Sequence, residues 1–187
     1  GCGAGSPLVS HPGVDFDSFS GGTSTGGKVA ASAAPSFKKL SLELGGKNSS
    51  IVFSDCDMQS AVSGVARAGF LNQGQVCLCG SRILVEGSIY EEFRERFVRH
   101  VEQMNVGDPS NEGTELGALI SQEHFEKVLG YVELAKEEGG KILTGGSRCS
   151  PDGFENGNWM LPTVIEGVGA DSRCATEEIF GPLVTLH

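Results

Sequence analysis

Positive charge, long apolar runs and paired cysteines are all scarce in this 187-residue sequence, and each scarcity excludes something. Fourteen Lys and Arg stand against 24 Asp and Glu, a formal net charge of −10, and the longest basic block is Lys38-Lys39. A chain of that balance repels a phosphate backbone, so nucleic acid is not an expected partner. No apolar run approaches the ~20 residues that cross a bilayer, so no membrane association is expected. No charged-then-apolar segment opens the chain either, although Gly1 in place of Met leaves room for an upstream one. The six cysteines (Cys2, Cys56, Cys77, Cys79, Cys149, Cys174) are too few for a disulfide scaffold and lack the C-x-x-C spacing of a zinc site. The expectation is a reduced, cytoplasmic protein without a metal.

Apolar residues make up 39% and charged residues 20%, which disfavours disorder. The length suffices for one sizeable core, or one domain plus part of another. Residues 1–27 are glycine-rich and read as loops with a short strand at 16–20. The run Gly21-Gly22-Thr23-Ser24-Thr25-Gly26-Gly27 then leads into a helix from Lys28 that stops at Pro35. Strand, glycine turn and helix in that order suit a phosphate-binding βα unit.

A strand ending at Leu44 breaks at Gly45-Gly46, and residues 49–53 form the next strand candidate. From Asp57, Met58, Ala61, Val62, Val65 and Ala66 keep helical spacing up to Phe70. Asn72-Gln73-Gly74-Gln75 then favours a loop, which places Cys77 at a turn before a strand at 82–85. Ser88 with Glu91 has the form of a capping box, and Ile89, Phe93, Phe97 and Val101 continue a helical stripe. A further helix is expected from Ser121, with Phe125, Val128, Leu129 and Val132 on one face and Gly139-Gly140 as its stop. Strands at 141–143 and 159–165 follow. The alternation predicts an α/β fold with a largely parallel sheet. Residues 180–187 run into what reads as a strand, and both termini are expected to continue in a longer protein.

Thiol catalysis needs a sulfur at a solvent-reachable turn, and hydrolysis of a thioester needs a positioned base. Cys77 supplies the first feature, and Glu43, beside the space-making Gly45-Gly46, supplies the second. Taken alone, each has an ordinary structural reading: a buried thiol acts as a small apolar group, and a strand acid simply faces solvent. His124, the nearest candidate for a Cys-His pair, reads as a solvated helix histidine. Cys79 reads as a neighbour in the turn.

Four motifs together are more specific. Leu42-Glu43-Leu44-Gly45-Gly46-Lys47 resembles the glutamate motif of the aldehyde dehydrogenase superfamily, and Asn72-Gln73-Gly74-Gln75-Val76-Cys77 resembles its cysteine motif. Upstream, Phe19-Ser20-Gly21-Gly22-Thr23 is similar to the family's cofactor turn. Downstream, Glu177-Glu178-Ile179-Phe180-Gly181-Pro182 is similar to its Glu-Ile-Phe-Gly-Pro motif. The order matches the family's, and the resemblance covers essentially the whole chain.

The resemblance implies an aldehyde dehydrogenase-like fold: residues 1–44 as the C-terminal part of a Rossmann-type NAD-binding domain, and 45–187 as most of an α/β catalytic domain. It implies Cys77 as nucleophile and Glu43 as general base. Gly21, Gly22, Thr23, Leu44, Gly45, Glu178 and Phe180 would bind the cofactor, with Glu178 on the nicotinamide ribose and Phe180 near the nicotinamide ring. NAD is the implied cofactor, NADP remains open, and the full-length protein is expected to be a homo-oligomer, a dimer or tetramer. The family turn carries a serine where Gly22 stands here, which leaves only a backbone N–H for that contact. Among subfamilies, Cys77-Leu78-Cys79 and Leu161-Pro162-Thr163-Val164-Ile165 look most similar to 2-aminomuconic and 2-hydroxymuconic semialdehyde dehydrogenases. Arg67 could attract the carboxylate of such a substrate. A non-catalytic fragment or pseudoenzyme of the same fold is the rival reading.

Overall fold

The computed structural model describes residues 2–187. The chain separates into two compact units, Gly1–Gly46 and Lys47–His187.

The first unit is built around two parallel strands. Helix α1 (Cys2–Ser10) precedes strand β1 (Phe16–Gly21), helix α2 (Thr23–Ala33) and strand β2 (Lys39–Leu44). Register runs from Phe16 opposite Lys39 to Ser20 opposite Glu43 and Gly21 opposite Leu44. Gly26, Val29 and Ala33 are the buried face of α2, and Gly26 is needed because a side chain there would run into Leu44. Pro35 ends the helical path in a short 3-10 turn, and Phe37 at φ 53° turns the chain into β2. Asp17, buried on β1, has the Lys38 ammonium at 3.7 Å, and Lys38 also donates to the Val9 carbonyl at 2.5 Å.

The second unit holds a five-stranded sheet. Strands β3 (Ser49–Val52), β4 (Arg82–Val85), β5 (Lys141–Thr144), β6 (Thr163–Glu166) and β7 (Leu183–Leu186) lie in the order β3-β4-β7-β6-β5. All neighbours are parallel except the edge pair β5–β6. Alternation along the strands feeds two cores. Val52, Ile83, Val164, Val184 and Leu186 pack with helices α3 (Met58–Phe70) and α4 (Tyr90–Glu102), where Phe93 stacks on Phe97 at 5.4 Å. Ile165 and Leu183 pack instead with helix α5 (Gln122–Glu137) and the short α6 (Arg173–Thr176). Asp57 caps α3 by accepting from the Ser60 N–H at 2.9 Å, and Ser121 caps α5 by accepting from the His124 N–H at 3.1 Å.

The α/β class and largely parallel sheet match expectation, and local errors have identifiable causes. Residues 2–10 are helical rather than looped, and α2 starts at Thr23 rather than Lys28, because glycines lower helix propensity without forbidding a helix. Ser88 and Glu91 form no capping box: residues Gly87–Ile89 are a 3-10 turn, and the Ser88 hydroxyl donates to Glu86 at 3.1 Å. The strand expected at 159–165 begins only at Thr163; before it a single bridge joins Met160 to Arg148.

Candidate active site

Each unit carries part of the expected constellation. In the first, β1 and β2 end side by side, so Gly21, Gly22 and Thr23 gather with Glu43, Leu44 and Gly45 at the carboxyl ends of two parallel strands. Glu43 is exposed there. Gly22 is the N-cap of α2 in extended conformation, and no side chain caps the helix. The first N–H groups of α2 are thus left to an external acceptor, and the helix dipole favours an anion at that end. This arrangement fits the pyrophosphate of a dinucleotide, and the missing side chain at Gly22 does not obstruct it.

In the second unit, Cys77 lies on an exposed loop between α3 and β4. The approach to it is unusual. Asn72, Gln73 and Gly74 have φ values of 51°, 57° and 69°, three left-handed residues in succession. For a non-glycine residue such a conformation costs ~1–3 kcal/mol and persists only where surroundings over-determine it. Here they do. A Cβ on Gly74 would collide with the Gly181 carbonyl oxygen, so the loop lies backbone to backbone against the segment after Phe180. Gln75 Oε1 accepts from the Ile120 N–H at 3.1 Å, and the Gln73 amide oxygen accepts from the Gly117 N–H at 2.7 Å. The Asn48 amide donates to the Cys77 carbonyl at 2.7 Å, and Asn72 donates to the Gln75 carbonyl at 3.1 Å.

With its carbonyl held by Asn48, Cys77 keeps its own N–H without an acceptor among the described residues. Cys79, half-buried in the same turn, has its thiol pushed up by desolvation and sits with Sγ 3.9 Å from the Leu71 carbonyl. The exposed sulfur at Cys77 and the retracted one at Cys79 are thereby distinguished. A cleft of about 330 Å³ beside the loop is lined by Gly64, Arg67, Leu71, Val76, Leu78 and Cys79.

Glu178 and Phe180 sit in the segment between α6 and β7. Phe180 is also left-handed, at φ 62°, and the residue is 36% exposed. His124 bonds to the Phe180 carbonyl through Nε2 at 2.6 Å, so it is a structural partner of this segment rather than the solvated helix histidine expected. Lys127 Nζ donates to the Glu178 carbonyl at 3.3 Å. Neighbouring Glu177 is gripped by Arg173 at 2.9 Å and by the Tyr131 hydroxyl at 2.5 Å, and these two donors hold its carboxyl down at about 2. Lys47, whose buried Nζ has no hydrogen-bond partner among the described residues, is lowered to about 8 by desolvation. Cys174 is pushed up to about 12, first by burial, and is no rival thiol.

The tethering contacts of Asn48, Gln75 and His124 are not expected from sequence, where Gln75 stands only in the loop motif and His124 reads as a solvated helix histidine. Their partners lie 29, 45 and 56 residues away, and no local signal announces such pairs. Among the described residues no cluster of His, Cys, Asp and Glu could hold a metal ion, and no helix is long and apolar enough to cross a membrane.

Comparison with known proteins accords with this arrangement. The family model described as "Aldehyde dehydrogenase family" matches residues 1–187. A 2-aminomuconic semialdehyde dehydrogenase of Danio rerio is 47% identical over 98% of the chain, and a 4-trimethylaminobutyraldehyde dehydrogenase A of the same organism is 45% identical over 100%. The chain spans 38% and 37% of those two proteins. A betaine aldehyde dehydrogenase of Staphylococcus aureus, solved in complex with NAD+, superposes with a TM-score of 0.94 at 39% identity, covering 98% of this chain and 36% of that one. With its α/β fold and a family match along its whole length, the chain belongs to the aldehyde dehydrogenase family, whose named members are oxidoreductases acting on aldehydes.

Proposed function

We propose that the polypeptide carrying this chain oxidises an aldehyde to a carboxylate through a covalent cysteine intermediate, with NAD as the cofactor and NADP as the alternative. The observation that carries the reading is an exposed Cys77 on a loop whose strained backbone is locked from three directions, in a chain of this family. Unit one is read as the end of the cofactor domain and unit two as the thiol domain.

Cys77 Sγ adds to the carbonyl carbon, forming a C–S bond and giving up the thiol proton, while negative charge moves to the carbonyl oxygen. The Cys77 N–H donates to that oxygen and lowers the barrier electrostatically. A bound nicotinamide would supply the hydride acceptor that turns this carbon into the carbonyl of a thioester on Cys77. Glu43 then takes a proton from water, the hydroxyl adds to the thioester carbon, and C–S cleavage returns the Cys77 thiolate with the carboxylate product. Gly21, Gly22 and Thr23 would hold the pyrophosphate through backbone N–H groups. Leu44 and Gly45 would border the nicotinamide, Glu178 would hold its ribose, and Phe180 would pack on the ring. Functional assembly as a homodimer or homotetramer follows from the same resemblance.

The substrate class best supported is a semialdehyde that already bears a carboxylate, of the muconic type. Exposed Arg67, on the wall of the cleft beside Leu71, Val76 and Leu78, offers a cation to such an anion. A trimethylammonium aldehyde is the second reading, because a relative of comparable identity bears that name.

The test follows NADH formation with a muconic-type semialdehyde, a trimethylammonium aldehyde and a simple aliphatic aldehyde. It uses the chain and a polypeptide extended to the length of its relatives, each with a Cys77→Ala variant. Turnover that disappears in Cys77→Ala supports the thiol mechanism. A preference for the anionic aldehyde that Arg67→Ala abolishes supports the substrate class. Folded, NAD-binding protein without turnover on any aldehyde would favour the non-catalytic reading.

A further inference from the structure

The segment Glu178–Gly181 is clamped from one helix. His124 and Lys127 stand three residues apart near the start of α5, on one side of the helix. They take two carbonyls that are themselves two residues apart, His124 that of Phe180 and Lys127 that of Glu178. A carbonyl only accepts, so the His124 ring must present Nε2–H, a donor in both the neutral ring with that tautomer and the imidazolium. The His124 ring also meets the Phe180 ring edge to face, centroids 6.2 Å apart at 70°. One residue on, Gly181 lies so close to Val128 of the same helix that a Cβ would come within 2.5 Å of a Val128 methyl. The other side of Gly181 is where Gly74 of the thiol loop rests.

We propose that His124 is a positioning residue which, with Lys127, holds the Glu178–Gly181 segment with Phe180 in its left-handed conformation and thereby sets the height of the Phe180 ring beside the Cys77 loop. The inference rests on the proposed function for its catalytic meaning, while its structural content is independent of that reading. The argument is one of strain. Phe180 at φ 62° has no glycine's freedom, so something must hold it there. The bond to its carbonyl at 2.6 Å is the contact placed to do so. Because Gly181 is shared between α5 and Gly74, release of Phe180 also removes one wall from the thiol loop. The effect of His124 is therefore expected at Cys77, to which it makes no direct contact.

The experiment compares His124→Ala, His124→Gln and Lys127→Met with the parent chain. A glutamine side chain still reaches with an N–H donor, so it separates the hydrogen bond from the ring. Amide hydrogen exchange of the full chain without cofactor reads the segment directly, and iodoacetamide alkylation of Cys77, followed by intact mass, reads the thiol loop. His124→Ala is expected to raise exchange at Phe180, Gly181 and residues 72–77 by about fivefold to tenfold, the loss of one hydrogen bond, with other amides unmoved. It should change the alkylation rate of Cys77 in parallel. His124→Gln should restore both to within about twofold, and Lys127→Met should show a smaller effect confined to residues 178–180. In polypeptide competent for turnover, His124→Ala should raise KM for NAD more than it lowers kcat. Unchanged exchange at Phe180 and Gly181 in a folded His124→Ala chain would overturn the proposal, as would a His124→Gln chain indistinguishable from His124→Ala. Absence of aldehyde oxidation in every form would defeat the proposed function while leaving the exchange result to decide the clamp.

Discussion

Glu43 and Cys77, for which we propose the roles of base and nucleophile, are held by opposite means. Glu43 sits on a regular strand, paired in parallel register with Ser20, and its setting is specified by neighbours in sequence and one ladder. Cys77 follows three left-handed residues and depends on Asn48, Gly117, Ile120 and Gly181, groups scattered over the second unit. A base that must only accept a proton from water tolerates the freedom of a strand end. A nucleophile that must meet a carbonyl carbon at bonding distance does not, since small misplacements there are costly in rate. The difference teaches that backbone strain in this chain gathers on the side of the thiol.

The comparison breaks most sharply at Gly74. Gly74→Ala puts a Cβ into the Gly181 carbonyl at a positive φ, and thermal or urea unfolding should show a loss of ~3 kcal/mol or more. Lys47 tests the region through pH. Its folded value of about 8 lies below its ordinary 10.5, so the folded state binds fewer protons there. Stability should therefore rise as pH increases from 8 to 10.5, and Lys47→Met should flatten that rise in urea titrations. Asn48→Ala removes one bond to the Cys77 carbonyl and should cost ~1 kcal/mol, with a change in Cys77 alkylation rate as the specific readout. In the first unit the sign reverses: Gly27, inside α2, has open space where a Cβ would stand. Gly27→Ala should stabilise by ~0.5–1 kcal/mol in calorimetry. The smallest effect is acidic. Glu177, held at about 2 against an ordinary 4.5, contributes stability above pH 4.5 that is lost as pH falls towards 2. Glu177→Gln should remove that dependence, read by near-ultraviolet circular dichroism across the same window.

Much of the fold was legible before any coordinates. The stripe from Met58 to Phe70 beginning after Asp57, the Ser121 start of α5 and the Gly139-Gly140 stop all follow from local rules, and all are present. Beside the glycine-rich helices, two failures share one physical cause, the competition between local preference and tertiary partners. Ser88 and Glu91 satisfy a capping pattern, but the Ser88 hydroxyl bonds to Glu86, whose other oxygen receives the Ser54 N–H from 32 residues away. His124 on a polar helix flank gives no sign of Phe180, which is 56 residues distant.

The candidate site divides along the same line. The family was legible through the resemblance of four short motifs, and the same resemblance singled out Cys77, Glu43 and the glycine turn at Gly21-Gly22 as candidates, because a motif is a pattern of residue types at short range. The left-handed passage through Asn72, Gln73 and Gly74, the Asn48 tether and the grip of His124 on Phe180 were decided only by the tertiary structure. Each sets a segment in a conformation its own sequence does not favour, and only contacts from distant parts of the chain supply the free energy to hold it there.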